Sequence, residues 1–100
     1  MRGNFQQIIS GDTPVLIDFY ATWCQPCKMQ APVLAEFARE MGDRLKVIKI
    51  DVDKNPQISQ KYQIQGVPTL AIFKNGNIVW RQSGVISKQT LYQVVEQYSL

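Results

Sequence analysis

The 100-residue sequence predicts a single α/β domain, spanning residues 1–100, with a central mixed sheet flanked by helices on both faces. Strand-like segments alternate with segments whose apolar residues recur at helical spacing, which is typical of a parallel βαβ unit. Asn75-Gly76 separates the last two strand-like segments and favours a tight turn between antiparallel strands. We expect four strands, with a fifth only if the residues ahead of Phe5 form one.

The first elements are a short helix and a strand. Asn4 can cap the helix, which ends at the turn-forming residues 11–14, and the first strand runs from about residue 15 to residue 20. The apolar residues that share one face of the helix are Phe5, Ile8 and Ile9.

A long amphipathic helix is predicted from Cys24 to about Met41. Pro32 lies inside it and is expected to bend it, because proline lacks a backbone donor. The apolar face comprises Met29, Val33, Leu34, Phe37, Ala38 and Met41. The opposite face comprises Gln30, Glu36, Arg39 and Glu40.

The second half is predicted to add a strand, a short helix, a hairpin and a final helix. Asn55 and Ser87 are the expected capping residues of the two helices, and Pro56 occupies the first helical position after Asn55. The predicted ranges are 45–52 for the strand, 55–62 for the short helix, and 70–73 and 78–82 for the hairpin. The final helix presents Leu91, Val94, Val95 and Tyr98 on one face.

Composition and charge exclude several classes of function. Apolar residues form 45% of the chain and charged residues 19%, which is typical of a water-soluble globular domain. The net charge of +3 comes from dispersed Lys and Arg, so we expect no nucleic-acid binding. The longest apolar stretches have the length of strands, so we expect no membrane insertion. A monomer is expected.

The compartment depends on whether a segment has been removed. Met1–Asn4 is not followed by the apolar part of a secretory signal, so the chain as given predicts a cytoplasmic protein. If an export signal has been removed, the prediction is a periplasmic one. The cysteine content does not distinguish the two compartments, because one Cys-x-x-Cys pair suits either a reducing or an oxidising one.

Cys24 and Cys27 are the only cysteines, and they stand where the first strand passes into the long helix. The first sulfur would lie among unpaired N–H groups at the positive end of the helix dipole, which stabilises a thiolate. With a second thiol one turn away, the pair can switch reversibly between dithiol and disulfide. A closed zinc site needs four ligands and the pair supplies two, so we expect no metal; a zinc site shared between two chains is the alternative.

Several separate motifs accompany this order of elements: Asp18, Cys24–Lys28, Pro32, Lys49–Asp51, Val67–Thr69, Phe73–Gly76 and Gly84. Together with the order of elements, they resemble the thioredoxin family over about residues 5–98. The resemblance implies a thioredoxin fold and a thiol-disulfide oxidoreductase that needs no cofactor beyond its own cysteine pair. Two departures are the short segment before Phe5, where the family usually has a strand, and Gln25, where it commonly has glycine. We expect Gln25 to tune the reduction potential.

The cysteines and two charged residues are the predicted catalytic groups. Cys24, nearer the helix start and the surface, should attack a substrate disulfide, and Cys27 should resolve the mixed disulfide. Asp18 stands in an apolar strand, so burial should raise its pKa and let it accept the Cys27 proton. Lys49 is expected to modulate Asp18. The alternatives are an Asp18 that is paired to Lys49 or caps a turn, and a Lys49 that is an ordinary lysine at the strand edge.

The resemblance also implies a substrate surface around the cysteines. Val67-Pro68 would face the pair, with the proline in the cis form and the preceding backbone pairing with an extended substrate. An ordinary trans proline is the alternative. Trp23, Pro26, Val67 and Gly84 would frame an apolar docking surface, on which Gly84 admits close backbone approach.

The predicted function is a protein-disulfide reductase acting on disulfide-containing proteins. The resemblance implies an electron donor such as a thioredoxin reductase, and Pro26 goes in this family with reductants, whereas oxidases and isomerases usually carry histidine there. One alternative is an envelope protein that oxidises or isomerises disulfides. The other is a binding subunit whose redox activity is incidental.

Overall fold

The structure is a computed structural model that describes residues 4–98. The elements follow the predicted order, and their ends lie close to the predicted ones. They are α1 (Phe5–Ile9), β1 (Val15–Tyr20), α2 (Gln25–Met41), β2 (Lys46–Asp51), α3 (Pro56–Lys61), β3 (Thr69–Lys74), β4 (Asn77–Ser83) and α4 (Lys88–Tyr98). A 3₁₀ turn at Gly42–Arg44, which was not predicted, joins α2 to β2.

The described residues form one four-stranded mixed sheet in the order β2-β1-β3-β4. Strands β1 and β2 are parallel and are joined by the crossover helix α2, whereas β3 is antiparallel to both β1 and β4. The prediction of a mixed four-stranded sheet is therefore confirmed within residues 4–98. The expectation of a possible fifth strand ahead of Phe5 falls on residues 1–3, which lie outside the described part of the chain.

The hairpin turn between β3 and β4 is built as the sequence predicts. Asn75 and Gly76 both adopt left-handed backbone conformations, with φ of 55° and 83°, which suits a tight turn joining twisted strands. Their N–H groups donate to the carbonyl oxygens of Gly11 and Ile9, at 2.8 and 2.7 Å. The turn is thereby tied to the end of α1.

Apolar side chains cover both faces of the sheet, which explains why β1 is apolar in almost every position. The face covered by α2 and α4 contains Leu16, Leu34, Phe37, Leu70, Ile72 and Leu91. The face covered by α1 and α3 contains Phe5, Ile9, Ile17, Phe19, Ile50 and Phe73. Helices on both faces were predicted, and this prediction is confirmed. No helix in the described part of the chain has both the length and the apolar character needed to cross a bilayer.

The predicted faces of α2 are wrong at two neighbouring positions. Met29, assigned to the apolar face, is 59% exposed, whereas Gln30, assigned to the polar face, is completely buried. Gln30 can be buried because its amide forms hydrogen bonds with the backbone of Ile86, so none of its polar groups is left unpaired. The buried positions of α2 are Cys27, Gln30, Leu34, Phe37 and Met41.

Two of the three predicted helix caps are wrong. The side chain of Asn4 forms no capping hydrogen bond, because its backbone is already helical (φ −97°, ψ −17°) and a capping residue needs an extended one. Asn55 also forms none, since its amide donates to the carbonyl oxygen of Asp51 at 3.0 Å. Ser87 does cap α4, because its Oγ accepts the N–H of Thr90 at 3.1 Å.

Candidate active site

A disulfide joins Cys24 and Cys27 across the first turn of α2, with their Cα atoms 5.2 Å apart. Cys24 is the N-cap residue, with an extended backbone (φ −90°, ψ 112°), and its Sγ accepts the backbone N–H of Cys27 at 3.1 Å. The first sulfur therefore takes the place of a capping oxygen. When the disulfide is reduced, this position stabilises a thiolate, through the same N–H group and the helix dipole.

Exposure does not distinguish the two cysteines. Cys24 is 3% exposed and Cys27 is 5% exposed, so the expectation that Cys24 lies nearer the surface is wrong for the disulfide form. Both cysteines belong to one small apolar cluster, which buries them together. Its other members are Tyr20, Ala21, Val52 and Val67. The difference between the cysteines is therefore their place on the helix.

The Val67–Pro68 peptide bond is cis, so the alternative of a trans proline is excluded. The loop faces the cysteine pair, since Cys24 Sγ lies 3.6 Å from the carbonyl oxygen of Val67. The carbonyl oxygen of Pro68 in turn accepts the N–H of Gly84 at 2.9 Å. The structure thus brings Cys24, Val67, Pro68 and Gly84 together.

Gly84 lies at the end of β4 in a conformation that favours glycine. Its φ is 95°, and a Cβ built on it would meet no atom within 4 Å. Glycine is therefore required for the backbone angle rather than to prevent a clash within the free chain. The space over Gly84 is open. Val85, which follows it, is 46% exposed and was not identified from the sequence, although its position beside Gly84 was a signal for it.

Trp23 precedes the disulfide and is 69% exposed. Its indole Nε1–H donates to a carboxylate oxygen of Asp53 at 2.8 Å. Asp53 belongs to the loop after β2, where its N–H donates to the side chain of Asp51 at 2.9 Å. Sequence reasoning missed this contact because Trp23 and Asp53 are 30 residues apart. The hydrogen bond fixes one edge of the indole and leaves most of its surface available to a partner.

Gln25 and Pro26 occupy the first turn of α2, and both are exposed. Proline is tolerated there because the first N–H groups of a helix have no partner within it. The expected effect of Gln25 on the reduction potential stays a prediction.

Asp18 is a buried carboxylate in β1. It is 1% exposed, and neither carboxylate oxygen has a hydrogen-bond partner. Burial raises the pKa of Asp18 from 3.8 to about 6, while the charge of Lys49 acts in the opposite direction. Side chains alternate along a strand, so Asp18 shares the sheet face of Leu16, which α2 and α4 cover. The burial and the raised pKa agree with the sequence prediction, whereas the catalytic role of Asp18 stays a proposal.

Lys49 is the partner of Asp18 in the parallel register of β1 and β2. Its Nζ lies 4.6 Å from the centroid of the Tyr20 ring, which is the geometry of a cation–π contact. The Asp18 oxygens accept no hydrogen bond, so neither a hydrogen-bonded Asp18–Lys49 pair nor an Asp18 that caps a turn is present. Lys49 acts on Asp18 only through its charge.

Within residues 4–98, no three His, Cys, Asp or Glu side chains are placed to share a metal ion. The groups close to the disulfide are instead a carbonyl oxygen, backbone N–H groups and apolar side chains. This arrangement suits chemistry at sulfur and the binding of a polypeptide backbone.

The sequence matches the family model for Thioredoxin over residues 1–97. The chain belongs to the thioredoxin family. It is 44% identical to "Thioredoxin 1" of Nostoc sp. over 93 residues, which cover 93% of this chain and 87% of that protein. It is also 49% identical to the thioredoxin of Alicyclobacillus acidocaldarius over 88 residues, which cover 88% of this chain and 84% of that one.

The fold agrees with a solved thioredoxin as well. The crystal structure of Malassezia sympodialis thioredoxin superposes with a TM-score of 0.90 and 38% sequence identity, covering 99% of this chain and 86% of that chain. The predicted thioredoxin fold is therefore confirmed. Family membership and the Cys24–Cys27 disulfide together show an enzyme, a thiol-disulfide oxidoreductase of the protein-disulfide reductase type.

Proposed function

We propose that this thioredoxin-family chain works in the reducing direction, on exposed disulfides of protein substrates. The observation that carries the proposal is the disulfide across the first turn of α2, with Cys24 Sγ in the capping position. After reduction, the Cys24 thiolate attacks one substrate sulfur, so that a mixed disulfide forms and the other substrate sulfur leaves as a thiolate. Cys27 then attacks Cys24 Sγ, the second substrate sulfur leaves, and the Cys24–Cys27 disulfide re-forms. Two electrons pass to the substrate.

Asp18 is the proposed acceptor of the proton that Cys27 loses before this attack. It is a buried, unpartnered carboxylate on the sheet face that α2 covers. With its pKa raised to about 6, Asp18 is mostly ionised at neutral pH and yet binds a proton more readily than an ordinary aspartate. Lys49 keeps the pKa from rising further, which favours the form that can accept a proton.

The proposed substrate is an extended polypeptide segment around a disulfide. The backbone of Val67 lies beside the attacking sulfur and can pair with such a segment. The exposed apolar surface of Trp23 and Val85 can contact neighbouring substrate side chains, with Pro26 at the helix start. We further propose that an electron donor such as a thioredoxin reductase returns the disulfide to the dithiol, in a compartment that is kept reducing.

The test is insulin reduction with dithiothreitol as the electron source. The wild-type protein should accelerate the reduction, and both Cys24→Ser and Cys27→Ser should abolish the acceleration. Cys27→Ser should also trap mixed disulfides with substrates, and these should be absent in the double variant Cys24→Ser/Cys27→Ser. Trapping through Cys27 in Cys24→Ser, but not through Cys24, would contradict the assigned roles.

The direction is tested by equilibration with glutathione. A potential well below that of the glutathione couple supports a reductase, whereas a more oxidising one would favour the alternative of an envelope oxidase or isomerase. No observation on the described residues favours that alternative or the binding subunit. If Cys24→Ser left cellular function and partner recovery unchanged, the binding subunit would be the better interpretation.

A further inference from the structure

Gln30 is a buried polar side chain that has no role in the proposed disulfide exchange. It is completely buried in α2, on the same stripe as Cys27 and Leu34. Its Nε2 donates to the carbonyl oxygen of Ile86 at 3.0 Å, and its Oε1 accepts the N–H of Ile86 at 2.7 Å. The amide therefore pairs with both backbone groups of one residue, as a neighbouring strand would.

The residue that Gln30 holds belongs to the loop between β4 and α4. Ile86 is 2% exposed, and its neighbour Val85 is 46% exposed. On the other side of Val85, the N–H of Gly84 donates to the carbonyl oxygen of Pro68 at 2.9 Å. Val85 is thus displayed to solvent between two fixed backbone positions.

These contacts link the cis-proline segment and the loop after β4 to each other, and both to α2. Cys24 at the start of the helix lies 3.6 Å from the carbonyl oxygen of Val67. From there the chain continues through Pro68 to its hydrogen bond with Gly84, and the loop returns to the helix through Ile86 and Gln30. The helix that carries the attacking sulfur therefore also sets the position of the loop opposite the cis-proline segment.

We propose that Gln30 is a positioning residue for substrate binding, which holds Gly84 and Val85 at a fixed distance from Val67 and Pro68. This inference rests on the proposed function. An extended substrate segment paired with Val67 would pass between the two loops and place an apolar side chain against Val85. A small disulfide contacts only the cysteine sulfurs, so its reduction should not depend on the distance between the two loops.

Hydrogen bonding explains why an apolar residue cannot replace Gln30 in this role. Leucine or methionine would fill the buried stripe equally well. Either would leave the N–H and the carbonyl of Ile86 buried without partners, and such groups tend to regain partners by moving to water. The loop would then shift away from Pro68, while the disulfide and its helix cap stay in place.

The decisive variant is Gln30→Met, with Gln93→Met on the exposed side of α4 as the matched control. Insulin reduction is measured over a range of insulin concentrations, and reduction of the small aromatic disulfide DTNB is measured in parallel. For Gln30→Met we expect KM for insulin to rise about 3- to 10-fold, the effect of losing about one backbone hydrogen bond, with kcat and the DTNB rate within about twofold of wild type. Gln93→Met should match the wild type in all three measurements.

Hydrogen exchange at the Ile86 amide provides an independent readout. It should be slow in the wild type and at least about tenfold faster in Gln30→Met. Faster exchange with an unchanged KM would overturn the inference, and so would equal losses towards insulin and DTNB. If Gln30→Met does not fold, Gln30→Leu replaces it, because leucine also lacks both amide groups and already occupies a buried position of this helix at Leu34. The same split between insulin and DTNB is then expected, and its absence would overturn the inference.

The wild-type protein is measured in the same assays. Absence of insulin reduction by the wild type would contradict the proposed function. Normal wild-type activity without the split in the Gln30 variants would contradict only the positioning role.

Discussion

Replacing Asp18 by asparagine is expected to stabilise the folded protein, and to do so more strongly as the pH rises. The pKa of this carboxyl is raised from 3.8 to about 6 by burial, so folding favours its protonated form. The stability that the protonated form contributes is complete below pH 3.8 and is lost as the pH rises through about 6. Above that range, the wild-type protein keeps a buried charge that Asp18→Asn lacks.

The size of the effect follows from the shift in pKa. Each pKa unit corresponds to about 1.4 kcal/mol, so ionised Asp18 lowers the free energy of unfolding by about 3 kcal/mol at high pH. Because part of this penalty is already present near pH 4, the advantage of Asp18→Asn should grow by about 2 to 3 kcal/mol between about pH 4 and about pH 8. Asp18→Asn loses no hydrogen bond, and the cost of burying its neutral amide does not change with pH, so the growth of the advantage with pH remains.

The assay is urea unfolding of the oxidised proteins at several pH values, followed by tryptophan fluorescence. Asp12→Asn, at an exposed position, is the matched control and should stay within about 0.5 kcal/mol of the wild type throughout. A constant difference between Asp18→Asn and the wild type from low to high pH would refute the reasoning, because it would show that folding does not disfavour the Asp18 charge.

Three further predictions concern the residues around the disulfide. Lys49→Met should move the pH dependence of unfolding assigned to Asp18 to higher pH, since the lysine charge lowers the pKa of Asp18; an unchanged midpoint would contradict this electrostatic role. Gly84→Ala should cost about 1 kcal/mol in urea unfolding because φ is 95°, and a neutral result would argue against the left-handed backbone. Trp23→Phe removes the hydrogen bond to Asp53 and should lower the free energy of unfolding, measured by thermal unfolding, by about 0.5 to 1.5 kcal/mol. Asp53→Ala removes the same bond and should cause a similar loss; no loss in Asp53→Ala would show that this bond is not the cause.

The sheet and its order could be predicted because their signals are local. Apolar, β-branched runs mark the strands, the long amphipathic segment marks the crossover helix, and Asn75-Gly76 specifies the hairpin turn by its left-handed conformations. The position of the cysteines at the start of α2 follows from the same local pattern. Burial of Asp18 could be predicted as well. Its strand is apolar on both faces, so both faces are expected to be covered and the acid has no exposed face on which to lie.

Features that depend on distant partners could not be predicted. Gln30 has the polarity of a surface residue, and its burial follows from a hydrogen-bond partner 56 residues away. Asparagine favours helix caps, but neither Asn4 nor Asn55 forms one. The backbone of Asn4 is helical, and the side chain of Asn55 donates to the carbonyl oxygen of Asp51 instead. Both cysteines are buried in one apolar cluster, and Val52 and Val67, which are distant in sequence, pack against that cluster.

Equal burial bears on which of the two sulfurs can act as the proposed nucleophile. Burial in apolar surroundings disfavours either thiolate, so accessibility cannot by itself make one sulfur the nucleophile. Only Cys24 occupies the N-cap, where the N–H of Cys27 points at its sulfur and the helix dipole lowers the energy of a negative charge. Cys27 is the third residue of the helix and supplies that N–H, and in the proposed mechanism it depends on a proton acceptor, which is the role proposed for Asp18. The asymmetry of the pair is therefore electrostatic, and it is set by the point at which α2 begins.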